Sequence, residues 1–566
     1  MKRFIDRSGG RILVDTLKNH GVDTAFCVAG ESYLDVLNAF VDTPDINLVT
    51  CRQEGGAAFM AEAYGKLTQK PGICLVTRGP GACNASIGVH TAMQDSSPMI
   101  LFVGQVARDQ FGREAFQEID YRQMFAPPIT KWAAQIDQTD RIPEMVARAF
   151  RIATSGRPGP VVLALPEDML REVAQVPDTP PMDIDMAWPN RGSIEKLNTL
   201  LEGSERPLAI LGGNGWTEAS CAIFENIAET LKLPVATAFR RQDSFNNKHN
   251  CYIGELGTGA NPDLIDRVRQ SDLIITIGSR LSEMVTQGYT MLAPPVPPQT
   301  LVHIHNDPEE IGKVYTAELG IVSNTSTFCQ MWQQRMPYVT ENPPWLTWLE
   351  KAHQDYIDWT SIPERNKFKL DVDNIIAELR PRLPNDAIIT TDAGNFSCWA
   401  QRYLHYGRPG RLLAPTSGAM GYGLPAAIAA SITHPDRIVV GMAGDGGIMM
   451  NGQELATAVH TGAAPIMLIF NNGIFGTIRT HQEMNYPDRL SATTLTNPDF
   501  AKWAESFGAN GFSVNSNDEF VPAFEAALED RSKPNVIECR MDVEQILPNK
   551  VLSEISGKPK KKKRKK

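Results

Sequence analysis

The stretch GDGGIMMNGQEL, Gly444–Leu455, followed by the apolar run IMLIF and by Asn471-Asn472-Gly473, decides how this 566-residue chain is read. A strand over Arg437–Met442 that ends in a Gly-rich turn brings backbone N–H groups and the next helix start to where phosphate oxygens can meet them. Asp445 offers a hard carboxylate oxygen, and Asn472, at the end of the following strand, an amide oxygen, the donor chemistry that Mg2+ takes. A single GDG is weak evidence. The pair, spaced by one β-α-β unit, reads as a diphosphate held through a divalent metal.

Working outward, the same style recurs from about Lys367 in AIITTDAG, RLLAPTSGAMGYGLPAA, RIVVGMAGDG and PIMLIFNN. The N-terminal part repeats it, with amphipathic stretches alternating with AFCVAG, NLVTC, GICLVT and PMILFVG. Between them, RPLAILGGNGW, DLIITIGSR and TLVHIHNDP mark a second α/β segment, Rossmann-like but without the complete dinucleotide spacing. The Pro-rich stretch Val176–Asn190 and the NPPW around Trp345 are the punctuation. The fold class expected is therefore α/β, with three doubly wound parallel-sheet domains at 1–180, 191–345 and 365–548 and a disordered basic tail over 549–566. Two similar outer domains around a different middle one suggest an active site shared by the outer pair.

Composition narrows the class. The formal charge is −10, yet the last nine residues, KPKKKKRKK, carry eight positive charges, so the rest of the chain stands at −18. An acidic body argues against a nucleic-acid face, and the terminal charge run reads as a solvated tail. Nine cysteines without a C-x-x-C fit reduced thiols. With no signal-peptide core and no apolar run of about 18 residues, the expectation is a cytoplasmic protein that meets no membrane.

In the first domain, CRQEGGAAFMAEAYG places Glu54 after a strand and at a helix start, beside the crevice where open α/β sheets bind ligands. A lone glutamate there is more often a helix-start carboxylate. The rigid turn TRGPGACN, 77–84, brings further polar groups to the same crevice and shifts the balance.

Taken together, RQEGGAAFMAEAYG, TRGPGACN, VGQVARDQFGREAFQEID, TSGAMGYGLPAA and the metal motif resemble, in order and over nearly the whole chain, the thiamine-diphosphate-dependent enzymes of the acetolactate synthase and 2-oxo-acid decarboxylase superfamily. The resemblance implies a pyrimidine-binding domain, a middle domain and a diphosphate-binding domain, and a homodimer or homotetramer whose sites lie between subunits. It implies Asp445, Asn472 and the carbonyl of Ile474 as Mg2+ ligands, and Gly446, Gly447, Gly394 and Asn395 around the diphosphate. It implies Thr77, Pro80 and Asn84 on the pyrimidine side and Glu54 as the carboxyl that bonds the pyrimidine ring. Met420, flanked by Gly418 and Gly421, matches the residue that wedges under the cofactor, although a core methionine is the plainer role.

Gln117 in AFQEID matches the active-site glutamine of acetolactate synthases, and Phe116 a substrate-facing aromatic; a buried anchor is the other reading of Phe116. This favours a carboligase that takes a small 2-oxo acid such as pyruvate and joins it to a second carbonyl. Other features depart from that pattern. Ala29-Gly30-Glu31 stands where the family has Pro-Gly-Gly, so Glu31 is either a second acid, as in pyruvate decarboxylases, or a helix cap. His481 replaces a tryptophan that lines the acceptor side. His90, inside an expected helix, reads as a structural or surface histidine. In HIHNDP, His305 replaces the first acid of the family's nucleotide segment, which leaves FAD or ADP open in the middle domain. The competing readings are a plain 2-oxo-acid decarboxylase, a 2-hydroxyacyl-CoA or oxalyl-CoA type lyase, and a non-catalytic cofactor-binding relative.

Overall fold

The computed structural model describes residues 5–364 and 367–555. The chain divides into two compact units, Met1–Trp359 with His405–Ser417, and Thr360–Leu404 with Gly418–Lys566. Two six-stranded sheets in the first unit and a set of five parallel strands in the second organise it. Their central strands are near-continuous apolar runs, such as MILFVGQ, buried on both faces, which is what a parallel sheet covered by helices on both sides requires, while edge strands such as Asn47–Thr50 and Leu319–Val322 are partly exposed.

The first sheet comprises β1 (Thr24–Cys27), β2 (Asn47–Thr50), β3 (Gly72–Val76), β4 (Met99–Gln105), β5 (Trp132–Gln135) and β6 (Pro160–Pro166), in the order β2-β1-β3-β4-β6-β5, all parallel. The second comprises β7 (Pro207–Leu211), β8 (Val235–Thr237), β9 (Tyr252–Glu255), β10 (Leu273–Ile277), β11 (Thr300–His305) and β12 (Leu319–Val322), in the Rossmann order β9-β8-β7-β10-β11-β12. In the second unit, β13 (Ile388–Thr391), β14 (Val439–Gly444), β15 (Ile466–Asn471), β16 (Asn510–Val514) and β17 (Asn535–Arg540) run parallel in the order β13-β14-β15-β17-β16. That repeats β1-β3-β4-β6-β5 of the first sheet, so the outer domains share a topology and the middle one differs. In each sheet the strand order reverses at one point, between β1 and β3, β7 and β10, or next to β13. The strand ends there open a crevice.

Three boundaries differ from expectation. The strand before Asp445 runs to Gly444, not Met442. Trp345 and the helix Leu346–Thr360 that follows send Leu349, Ala352 and Tyr356 into the core of the middle sheet, so that core reaches past residue 345. Residues 549–555, expected in the disordered tail, are ordered. The strand Lys550–Val551 pairs antiparallel with Gln545–Leu547, and Leu552 of the short helix Leu552–Ile555 is buried against Ile474 and Ile546. The basic run 558–566 lies outside the described residues.

Inside the first unit the segment His405–Ser417 is tied down by buried charge. Asp95 accepts from Lys66 Nζ at 2.8 Å and from the Thr416 amide at 2.7 Å, while Asp243 accepts the amides of Gly410, Arg411 and Leu412. Burial pushes the Asp95 carboxyl up, but the charges of Lys66 and Arg241 and the bonds from Lys66 and Thr416 outweigh it and hold it below its ordinary value. All nine cysteines are free thiols. Among the described residues no helix is long and apolar enough to cross a membrane.

Candidate active site

Helix α1 (Glu54–Thr68) begins on Glu54, with Gln53 as N-cap accepting from the Gly56 amide at 3.1 Å. Helix α2 (Pro80–Asp95) starts in the TRGPGACN turn and packs along α1. Asn84 Nδ2 donates to Glu54 Oε2 at 2.9 Å, and Thr77 Oγ1 lies 2.9 Å from Ser32 Oγ, so the glutamate and the turn form one crevice lining. The loop after β4 reaches back to it. Gln117 sits at φ +66°, a left-handed conformation costly for a side chain with a Cβ, and lies so close that a Cβ on Gly79 would be 2.7 Å from Gln117 Cβ. Glu118 holds the loop by accepting the Gly112 amide at 2.5 Å and the Ala115 amide at 2.9 Å, and Tyr121 Oη accepts from the Gly79 amide at 2.7 Å. Phe116 is 73% exposed, which removes the buried-anchor reading. Glu31 opens a short 3-10 turn and is engaged by Arg78, so it is neither an isolated acid nor a side-chain cap. His90 is exposed on α2.

In the second unit, helix α3 (Asp445–Asn451) starts on the residue after β14 with no intervening loop. A Cβ on Gly447 would stand 2.1 Å from Asp392 Oδ2, so glycine there follows from the buried carboxylate at the end of β13. Asp445 Oδ1 accepts from Gly446 N at 3.0 Å, and Oδ2 from Gly473 N at 2.8 Å and Asn497 Nδ2 at 2.7 Å. Burial pushes the Asp445 carboxyl above its ordinary value, and these bonds oppose that rise. The loop after β15 is clamped by Phe475 N to Thr493 O at 2.9 Å and Leu495 N to Gly473 O at 2.8 Å, and within it Asn472 Oδ1 accepts from the Ile474 amide at 3.2 Å. The turn after β15 thus meets the helix start after β14 through the Gly473 amide and Asp445 Oδ2. Helix α4 (Gly476–Asn485) bonds Asn395 through Thr480, at 3.0 Å, and Thr477, at 2.8 Å, next to Gly394. Half-buried Met420 stands between Gly418 and Gly421, both at positive φ, and Asn451 Nδ2 donates to the Gly421 carbonyl at 2.9 Å. His481 is exposed on α4.

A further cleft opens between the first and middle sheets, lined by Ser96, Gly156 and Arg157 on one side and by Asn214, His305 and Thr325 on the other. It sits where β7 and β10 diverge. A Cβ on Gly213 would meet Gly278 O at 2.1 Å, so the glycines of GGNGW answer first to the crossing of two backbone turns. Burial pushes the His305 imidazole down, and its Nδ1 lies 3.0 Å from the Asp307 amide; burial and His305 together push His303 down to about 4.

Residues 7–124 match the N-terminal TPP binding domain of thiamine pyrophosphate enzymes, 194–331 their central domain, and 392–539 their C-terminal TPP binding domain. The acetolactate synthase large subunit of Parasynechococcus marenigrum is 33% identical over 92% of this chain and 86% of its own length. The probable acetolactate synthase large subunit of Methanocaldococcus jannaschii is 32% identical over 95% and 93%, and isozyme 3 of Escherichia coli 31% identical over 92% of each. This chain belongs to the thiamine pyrophosphate enzymes of acetolactate synthase type. It is a thiamine-diphosphate-dependent enzyme with carboligase chemistry of that type.

The residues present suit the cofactor of such an enzyme. The start of α3 offers glycine amides, Asp445, Asn472 and the Ile474 carbonyl offer hard oxygens for a divalent ion, and the Glu54 crevice offers a carboxyl for a ring nitrogen. Glu54 lies in the first unit and the metal-type loop in the second. Sequence reasoning passed over Asn497, Asp392 and Arg78. Asp392 was visible as the acid closing the strand AIITTD. Asn497, 25 residues beyond Asn472 in an unremarkable TNPDF, carried no local signal.

Proposed function

We propose that this enzyme decarboxylates a small 2-oxo acid, pyruvate first among the candidates, and transfers the two-carbon unit to a second carbonyl. Thiamine diphosphate supplies the electron sink for losing CO2. Glu54 holds and exchanges a proton with the pyrimidine ring, positioned by Asn84; Thr77 and Pro80 shape the ring's side of the crevice. Asp445, Asn472 and the Ile474 carbonyl hold Mg2+, with Gly446, Gly447, Gly394 and Asn395 around the diphosphate and Met420 beneath the rings. Gln117 faces the substrate, with Phe116 and His481 on the acceptor side.

The observation that carries the carboligase reading is the 31–33% identity to acetolactate synthase large subunits over nearly the whole chain, and Gln117, in the left-handed region against Gly79 at the crevice, is the residue it points to. A plain decarboxylase would be favoured by Glu31 acting as a second acid; Glu31 is 68% exposed and 3.4 Å from Arg78, and product identification separates the two readings. The middle cleft suits the adenine nucleotide part of FAD or ADP, with a histidine in place of the usual acid. The resemblance supports a homodimer or homotetramer in which Glu54 of one subunit serves the metal loop of another. The nine free thiols fit a reducing cytoplasm.

Incubation with pyruvate, thiamine diphosphate and Mg2+, with and without FAD, followed by product identification, tests this. Acetolactate is the expected product; acetaldehyde alone would replace the carboligase with a decarboxylase. Turnover only of acyl-CoA substrates would replace both with a lyase.

A further inference from the structure

Arg78 is a cation at the crevice that cofactor binding leaves without a task. It lies two residues beyond β3, its side chain 11% exposed, and makes three side-chain bonds of unequal quality. Nη1 donates to Glu167 Oε2 at 2.9 Å, Nε to the Phe116 carbonyl at 3.3 Å, and Nη2 to Glu31 Oε1 at 3.4 Å. The first two fix the guanidinium beside the Phe116–Gln117 peptide. The third is at the limit of a hydrogen bond, and its partner's side chain is 68% exposed.

We propose that Arg78 seats the carboxylate of the acceptor 2-oxo acid, and that Glu31 is the placeholder this carboxylate displaces. The inference rests on the carboligase reading above. A guanidinium fork binds a carboxylate at two points, so a substrate replaces one long contact with a charge-assisted pair. Glu167 and Phe116 already order the side chain, which lowers the entropic cost of binding. The chemistry assigns the seat to the acceptor rather than the donor. The donor's carboxylate loses its charge on leaving as CO2, so a cation gripping it would stabilise the starting state more than the transition state. The acceptor keeps its charge throughout. Glu167 stays paired with the guanidinium throughout, while the long, exposed Glu31 contact occupies the Nη2 side until an acceptor displaces it into solvent.

The test uses holoenzyme loaded with thiamine diphosphate and Mg2+, pyruvate as donor, and 2-oxobutyrate and propanal as acceptors of similar size, one charged and one neutral. Arg78→Met is expected to lower kcat/KM for 2-oxobutyrate about 10- to 100-fold, as loss of a charged hydrogen bond does, and to leave propanal unchanged. Equal loss on both acceptors, the signature of a purely structural clamp on the 107–120 loop, or no loss on either, overturns the proposal. Binding of oxamate, an unreactive anionic analogue, by calorimetry gives a readout without turnover. Should wild type make no carboligation product, the functional reading falls, while oxamate binding by wild type and its loss in Arg78→Met still support the seat. Glu31→Gln, at an exposed position, keeps the idea testable if Arg78→Met does not fold: oxamate should bind about two- to fivefold tighter, the scale of an exposed ion pair. Unchanged or weaker oxamate binding by Glu31→Gln overturns it.

Discussion

Asn497→Ala should weaken metal binding with little effect on the fold. In the native protein Asn497 Nδ2 donates both to Asp445 Oδ2, at 2.7 Å, and to Asn471 Oδ1, at 2.9 Å. Asn471 passes the bond on to Glu538 Oε1 at 2.7 Å, and Arg540 links Glu538, at 3.0 Å, with Asp499, at 3.4 Å, two residues from Asn497. The ring closes on itself, so Asn497 is held in place and in turn holds the Asp445 carboxylate. Removing it leaves the carboxylate held by the Gly446 amide on Oδ1 and the Gly473 amide on Oδ2, with the side-chain support behind Oδ2 gone and its orientation less sharply fixed. Loss of such an orienting partner typically costs 10- to 100-fold in metal affinity, or about 1.4–2.7 kcal/mol. Mn2+ in place of Mg2+, followed by electron paramagnetic resonance during titration with thiamine diphosphate present, reads that affinity directly. The melting temperature of the apoprotein should move little, since the site lies in a loop. An unchanged Mn2+ affinity and spectrum would refute the reasoning, and an equal loss on substituting a distant asparagine such as Asn515 would show that the effect is not local.

Other outcomes follow from the same geometry. Glu54→Gln keeps an oxygen for Asn84 and the helix start, so cofactor affinity should hold while turnover falls by about 10²–10⁴, the usual worth of a positioned proton-transfer group; unchanged turnover removes Glu54 from the chemistry. Gly447→Ala drives a Cβ against Asp392, whose Oδ1 is fixed by the amides of Ala393 and Tyr422, and should cost about 1–3 kcal/mol in unfolding measurements. Asp95→Asn leaves Lys66 buried without its carboxylate and should cost about 3–5 kcal/mol near neutral pH. Because the folded Asp95 carboxyl titrates below its ordinary value of about 3.9, its contribution is complete above that value and is lost as pH falls through the lower folded one. The gap in melting temperature between wild type and Asp95→Asn should therefore narrow below about pH 4, and a constant gap would contradict the assignment.

Particular residues mark how far the linear chain could be read. Asp445, Asn472 and Glu54 could be proposed from the sequence because each stands just beyond a strand, and a strand end in an α/β sheet is where ligands go. Met420 and Gln117 were legible only through the company of their motifs. Nothing local revealed that Gln117 would be forced into a left-handed conformation, because that depends on Gly79, 38 positions earlier. Arg78 was passed over inside a motif valued for its glycines, and its meaning came from Glu31, Glu167 and Phe116, drawn from three separate segments. The basic-tail boundary at 549 failed for a similar reason. A polar stretch reads as solvated until Leu552 is found buried on the metal-loop residue Ile474.

The sequence by itself determined the alternation of strands and helices, the α/β class and the thiamine-diphosphate cofactor class, since period, burial and turn residues act over a few positions. Only the tertiary structure decided the strand order shared by the outer sheets, the Rossmann order of the middle one, and the ring of side chains behind Asp445. Those depend on which distant segments become neighbours, and that follows from the packing of whole layers, which no short stretch encodes.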